Sequence, residues 1–320
     1  MTKGPKAKRK ALAKFDEREG EFQRNWRRAI ANLKLDPAQT DFLRLVTVAA
    51  NVVGYLPWSN RIIRRAAAAA LIDLLLRGFS KHPARRRWLG TFCWDAGITW
   101  ERRPHVDLVA MKLAVWKALD GYGLTGIGVI EVDVLKQRRG EKGCRLLFHI
   151  HVIVEERRGS KFRPRKAAFK LRSSRRFRNR LGAPSVQFKR ITATAADIAW
   201  VAAYITKLPP CAKNMVPHRK RPGRHVVRDC EMAPAWALRL LEIMSHMQAT
   251  DAVFGIGRKG RRQRRAWHER FRRRLRRRRG RREHFDGGDD VAREWPRIRS
   301  RNGSKRLEPC RIITKARHRK

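Results

Sequence analysis

Leu146-Leu-Phe-His149-Ile-His151-Val-Ile-Val154 is the stretch on which the fold turns. On a strand, successive side chains point to opposite faces. Leu146, Phe148, Ile150, Val152 and Val154 share one face, and Leu147, His149, His151 and Ile153 share the other. Two imidazoles therefore stand on one face, roughly 6.5 to 7 Å apart along the strand. At that spacing both rings can converge on a single divalent ion. Imidazole on a strand this apolar is costly unless a partner meets it. Alone, a His-x-His pair is more often two half-exposed side chains than a metal site.

The preceding strand bears on that choice. Residues 128–134 read GVIEVDV, with Val129, Glu131 and Asp133 on one face and Ile130, Val132 and Val134 on the other. The basic loop over residues 136–144 lets the two strands pair as a hairpin. If Leu135 sits opposite Arg145, Glu131 sits opposite His149 on the same face; a slip of one residue reverses the faces. Two histidines and a carboxylate then surround one site, with Asp133 a further candidate. A mixed nitrogen and oxygen set, open to substrate, suits Mg²⁺ or Mn²⁺. The ordinary alternative for Glu131 and Asp133 is a solvated strand face.

A helix is predicted over residues 194–208 (TAADIAWVAAYITKL), stopped by Pro209-Pro210. Tyr204 and Lys207 are three apart and face the same way. Trp200 and Asp197 lie on the same stripe, while Ile198, Ala202 and Ile205 can face a core. A phenol is a competent nucleophile toward phosphate when a metal polarises phosphorus and a cation stabilises developing charge. Lys207 could supply that cation. A tyrosine on an amphipathic helix is more often packing with a wet hydroxyl. Of the three tyrosines, Tyr55, Tyr122 and Tyr204, only Tyr204 sits on a helix beside a Lys and an Asp.

Further outward, residues 88–94 and 185–191 read as strands, and residues 107–119 and 165–176 as helices. The order β-α-β-β-α-β-α predicts an α+β fold, a mainly antiparallel sheet with flanking helices. Five units are expected: a basic arm over 1–20, an N-terminal helical region over 21–84, a central α+β domain over 85–215, a helical extension over 216–257, and an arginine-rich, disordered tail over 258–320. Within the helical region, Asp36-Pro37 reads as a cap with a first-turn proline, and Ser59 as the cap of the next helix. The tail offers Arg261, Arg262, Arg264, Arg265, Arg272, Arg273 and Arg274 as DNA contacts.

The 320 residues hold 78 Lys plus Arg against 28 Asp plus Glu, a formal net charge of +50. So large an excess calls for a polyanionic partner, nucleic acid first. The apolar stretches are shorter than the roughly 20 residues that cross a bilayer, and the N-terminus lacks the apolar core of a secretory signal. The five cysteines are scattered, without a CxxC pair. A cytoplasmic protein with reduced thiols is expected.

These residues resemble the HUH endonuclease superfamily. His149-Ile-His151 resembles its His-hydrophobe-His motif, Val201-Ala-Ala-Tyr204-Ile-Thr-Lys207 its Tyr-x-x-Lys motif, and Gly128-Val-Ile-Glu131-Val the strand carrying the acidic metal ligand in rolling-circle initiators. The resemblance spans roughly residues 86–215. It implies that His149, His151 and Glu131 bind Mg²⁺ or Mn²⁺. It implies that Tyr204 attacks a scissile phosphate in single-stranded or melted origin DNA, assisted by Lys207. The products would be a 5′-phosphotyrosyl link and a 3′-hydroxyl that primes a host polymerase, with a host helicase as a further partner and no small-molecule cofactor. Trp200 stands where some members carry a second tyrosine or a glutamate, so this is a one-tyrosine form, with Asp197 a substitute acid or a helix cap. A relaxase, a single-strand transposase and a non-catalytic basic nucleic-acid binder are the alternatives. Trp94, Trp100 and Trp200 could stack on bases.

Overall fold

Among the described residues, the chain opens with helices α1 (Lys3–Leu33) and α2 (Arg61–Lys81). Strands β1 (Arg87–Phe92), β2 (Ile98–Trp100) and β3 (His105–Asp107) precede α3 (Leu108–Asp120). The hairpin β4 (Leu124–Lys136) and β5 (Cys144–Glu156) is followed by α4 (Pro164–Ser173), β6 (Val186–Ile191), α5 (Ala195–Tyr204), β7 (Ala212–Pro217) and β8 (His225–Cys230). The chain continues through α6 (Pro234–Ser245), α7 (Ala249–Ala252), β9 (Val253–Ile256) and α8 (Gly257–Arg279), and β10 (Arg311–Ile313) is the last element among the described residues. The computed structural model describes residues 3–33, 56–136, 144–156, 162–181, 183–192, 194–209, 211–217, 225–279 and 311–313.

The fold is α+β. Its large sheet runs β6-β1-β5-β4-β7-β8, with β2 also on β5 and β9 also on β4. Every pairing within it is antiparallel except β4 with β7, so the sheet is mixed. The central hairpin adopts the register that the alternation predicts: Leu135 opposite Arg145 and Glu131 opposite His149. Both strands run thirteen residues, longer than the apolar cores that announced them. Ile130, Val132, Val134, Phe148, Ile150 and Val152 are buried on the face away from the histidines.

Three expectations about the ends of the chain change. Residues 3–20 of the expected basic arm instead belong to α1. Ala7, Ala11, Phe15, Glu19 and Phe22 are buried on one helical stripe, and α1 packs on α2, α5 and α6. Apolar burial at spacings of three and four holds the helix down despite its charge. The extension over 216–257 is not purely helical, because β8 and β9 are strands and β9 joins the central sheet. The tail expected to be disordered from 258 begins as α8. Trp267 and Phe271 of α8 are fully buried and stacked, and Trp267 Nε1 donates to the Ala67 carbonyl of α2 at 3.1 Å.

Local caps follow short-range chemistry. Asn60, rather than Ser59, starts α2, its side chain accepting from the Ile62 and Ile63 amides. Asp107 caps α3 and Thr194 caps α5. The Asp36-Pro37 cap lies outside the described residues. Among the described residues, no helix is long and apolar enough to cross a membrane, and the four described cysteines are free.

Candidate metal centre and nucleophile

The hairpin register brings three donors to one point. His149 Nε2 lies 3.2 Å from Glu131 Oε2 and 3.2 Å from His151 Nε2, and His151 Nε2 lies 2.8 Å from the same carboxylate oxygen. One ligand atom from each residue falls within 4.8 Å of the others, and all three residues are buried.

The hydrogen bonds around the rings set what they present. His149 Nδ1 faces the Leu147 carbonyl at 3.3 Å. A carbonyl only accepts, so the neutral ring carries its proton on Nδ1 and turns a lone pair on Nε2 toward Glu131. His151 Nδ1 is held at 3.0 Å by the Thr91 hydroxyl from β1, directly across the β1–β5 pairing. A carboxylate and imidazole lone pairs converging at this range repel one another unless a proton or a cation lies between them. The group therefore fits a bound metal ion, with Thr91 and the Leu147 carbonyl orienting the ligands from behind.

The charges agree with that reading. Burial disfavours the Glu131 carboxylate, but Lys207, His151 and His149 outweigh it and hold its pKa well below the usual range. Burial also lowers His149, but Asp133 and Glu131 overcome it and raise the ring above the ordinary imidazole value. His151 moves the other way, because burial dominates the attraction of Glu131. The same surroundings thus drive the two rings in opposite directions.

The nucleophile candidate stands beside this group. Helix α5 ends at Tyr204, and residues 205–207 form a turn rather than the continued helix expected to 208. The Tyr204 ring lies edge-on to His151, centroids 5.7 Å apart, and stacks on Trp200 at 5.1 Å and 18°. Burial and then Glu131 raise the phenol above its ordinary pKa, with Lys207 offsetting part of the rise.

Lys207 does not point freely at a substrate site. Its ammonium donates to Glu131 Oε1 at 2.9 Å and sits 4.4 Å from the Tyr204 ring centroid. Its pKa is raised, since Glu131, Tyr204 and Asp133 outweigh burial. Asp133 lies beside the donors but outside the trio, its Oδ2 3.9 Å from His149 Nδ1. Asp197 is not brought to the site. It accepts from Thr194 Oγ1 at 2.8 Å and returns its own amide to that hydroxyl, which is helix capping.

Of the seven arginines expected to touch DNA, six are exposed along α8: Arg261, Arg262, Arg264, Arg265, Arg272 and Arg273. Two of the seven also hold structure together. Arg264 donates to the Val253 and Thr250 carbonyls, and Arg274 pairs with Asp73 of α2. Trp94 is core, packed on Phe177, whereas Trp100 and Trp200 remain exposed.

Two residues near the site escaped the sequence reading. Thr91 was hidden because the register of β1 against β5 cannot be read from β1 alone. Arg18, whose guanidinium carbon lies 5.6 Å over the Tyr204 ring, was hidden in a charged segment. The spacing of Ala7, Ala11, Phe15 and Phe22 was the available signal for its helix. Comparison with protein families, with curated proteins and with solved structures finds no match.

Proposed function

We propose that this protein is a metal-dependent nuclease of the one-tyrosine HUH kind, which nicks single-stranded DNA by attack of Tyr204 and acts as a rolling-circle replication initiator. The observation that carries the reading is the convergence of Glu131, His149 and His151 on one point, with the Tyr204 ring 5.7 Å from His151. What supports the reading is that segments far apart in sequence bring three residues able to hold a metal ion close to a phenol.

Glu131, His149 and His151 would hold Mg²⁺ or Mn²⁺, which when bound polarises a phosphate oxygen and offsets the charge that builds on phosphorus. The residues of the chain supply the rest. The phenol oxygen of Tyr204 forms a bond to phosphorus as the bond from phosphorus to the 3′ oxygen breaks. The phenolic proton leaves, and the departing 3′ oxygen takes one up, so a 3′-hydroxyl and a 5′-phosphotyrosyl link result. Lys207 bridges Glu131 and Tyr204, bonded to the carboxylate and lying over the ring. Trp200, exposed and stacked on Tyr204, offers an aromatic face to an unpaired base. The exposed arginines of α8 supply sequence-independent attraction to phosphates.

The test is covalent capture. Incubation with single-stranded DNA and Mn²⁺ is expected to leave a nucleotide adduct on Tyr204, found by mass spectrometry. Tyr204→Phe is expected to lose the adduct and keep its DNA affinity. Native protein that binds DNA without cutting, metal present, would favour the non-catalytic binder instead.

A further inference from the structure

The charges that α1 turns toward the body of the protein are paired. Lys8 meets Asp73 of α2, Asp16 meets Arg65 and Arg61, and Glu19 meets Arg64. Arg18 differs. Among the described residues no carboxylate pairs with it, and its guanidinium lies over the ring of Tyr204. The other cation against that ring, Lys207, is committed to Glu131 at 2.9 Å.

The position of Arg18 is enforced by its neighbour. Glu19 is fully buried. One of its carboxylate oxygens takes the Arg64 guanidinium, and the other accepts from the Leu208 amide at 2.9 Å. Arg64 in turn donates to the Trp58 carbonyl at 2.6 Å. Leu208 follows Lys207 directly, so Glu19 fastens α1 to the turn that carries the candidate site. A buried pair of this kind costs desolvation and is better suited to fixing a unique docking than to adding stability.

We infer that Arg18 is a further catalytic residue, contributed by the N-terminal helix, which contacts the scissile phosphodiester as Tyr204 attacks it. The inference rests on the nuclease reading above. A planar guanidinium gives paired hydrogen bonds to phosphate oxygens, which an ammonium cannot match. It stands beside the nucleophile, and among the described residues no carboxylate neutralises it. Lys207 then neutralises Glu131, and Arg18 takes the role at the phosphate expected of Lys207. On this view α1 belongs to the active site, not to a separate arm.

The experiment uses the full chain, Mn²⁺ and a 3′-labelled pool of randomised single-stranded oligonucleotides, with the rate of adduct formation on Tyr204 as the readout. Arg18→Ala is expected to slow adduct formation by roughly 10²-fold, the loss typical of removing one donor to a developing oxyanion. Arg18→Lys should restore part of that rate. Lys14→Ala, an exposed charge on the same helix, should match the native protein. Mn²⁺ affinity by calorimetry and the thermal midpoint of Arg18→Ala should also equal those of the native protein. Native protein that forms adduct at the same rate as Arg18→Ala would overturn the assignment and leave the nuclease reading standing. A faster Arg18→Ala would do the same and make α1 a cover over Tyr204. Loss of Mn²⁺ binding in Arg18→Ala would reduce Arg18 to a positioning role and overturn the phosphate contact. A native protein that forms no adduct would sink the nuclease reading, and the Arg18 assignment with it.

Discussion

Replacing Lys207 by Met tests how the candidate centre manages its charge. The Lys207–Glu131 pair is 2.9 Å long, with side chains 10% and 4% exposed. Removing one partner of a buried pair leaves the other charge uncompensated, at a cost of about 3–5 kcal/mol. That cost applies to the metal-free protein. A divalent ion held by Glu131, His149 and His151 would neutralise the same carboxylate, so Lys207 and the ion compensate one charge between them. They also repel: two unit charges 4 Å apart at an effective dielectric of 20 interact by about 4 kcal/mol. Losing Lys207 should therefore tighten ion binding by at least about tenfold, or about 1.4 kcal/mol. At a concentration of about 100 Kd the ion adds about 2.7 kcal/mol to the native protein. A tenfold tighter site adds about 4.1 kcal/mol to the variant. The deficit of Lys207→Met should thus shrink by about 1.4 kcal/mol or more when chelator is exchanged for Mn²⁺. Urea unfolding followed by tryptophan fluorescence, at unchanged m, measures both deficits. Equal deficits in the two media, or a deficit under about 1 kcal/mol in chelator, would refute the shared-charge reasoning.

Other consequences can be checked separately. Thr91→Val removes the hydroxyl that holds His151 Nδ1 at 3.0 Å; Mn²⁺ affinity should fall by about 10–100-fold with the fold intact, and calorimetry showing no change would contradict an orienting role. His149 is held above the ordinary imidazole pKa because Asp133 and Glu131 outweigh burial, and only the unprotonated ring ligates. Mn²⁺ affinity should therefore fall as the pH drops through that raised value, while the metal-free protein loses the stability linked to protonated His149 as pH rises through it; an affinity flat from about pH 8 to about pH 6 would count against His149 as a ligand. Trp267→Ala should cost about 3–5 kcal/mol, since the ring is fully buried between α8 and α2; a loss under about 1 kcal/mol would mean that α8 does not dock. A methyl at Gly260 would lie 2.0 Å from the Gly126 carbonyl oxygen of β4, so Gly260→Ala should destabilise by at least about 1–3 kcal/mol, and an unchanged urea midpoint would show that α8 packs elsewhere.

The hairpin, its register, the faces of Glu131, His149 and His151, and the helix that carries Tyr204 were legible in the amino-acid sequence. All of them depend on short-range periodicity. Alternation assigns faces within a strand, a nearby turn sets the register of the next, and a Thr or Asp at a helix start satisfies amides within one turn. The ends of the chain were misread for the complementary reason. The Lys and Arg content of residues 3–33 and 257–279 outweighed a thin apolar stripe, and that stripe acquires meaning only when α2 and α5 lie opposite it. Tertiary structure alone decided that Glu19 of α1 would reach the Leu208 amide and that Lys207 would turn to Glu131. It also decided that β9 would join β4 and that Arg18 would stand over Tyr204. Each of these contacts joins segments whose closeness follows from packing and loop closure across tens to hundreds of residues, and no local spacing encodes it.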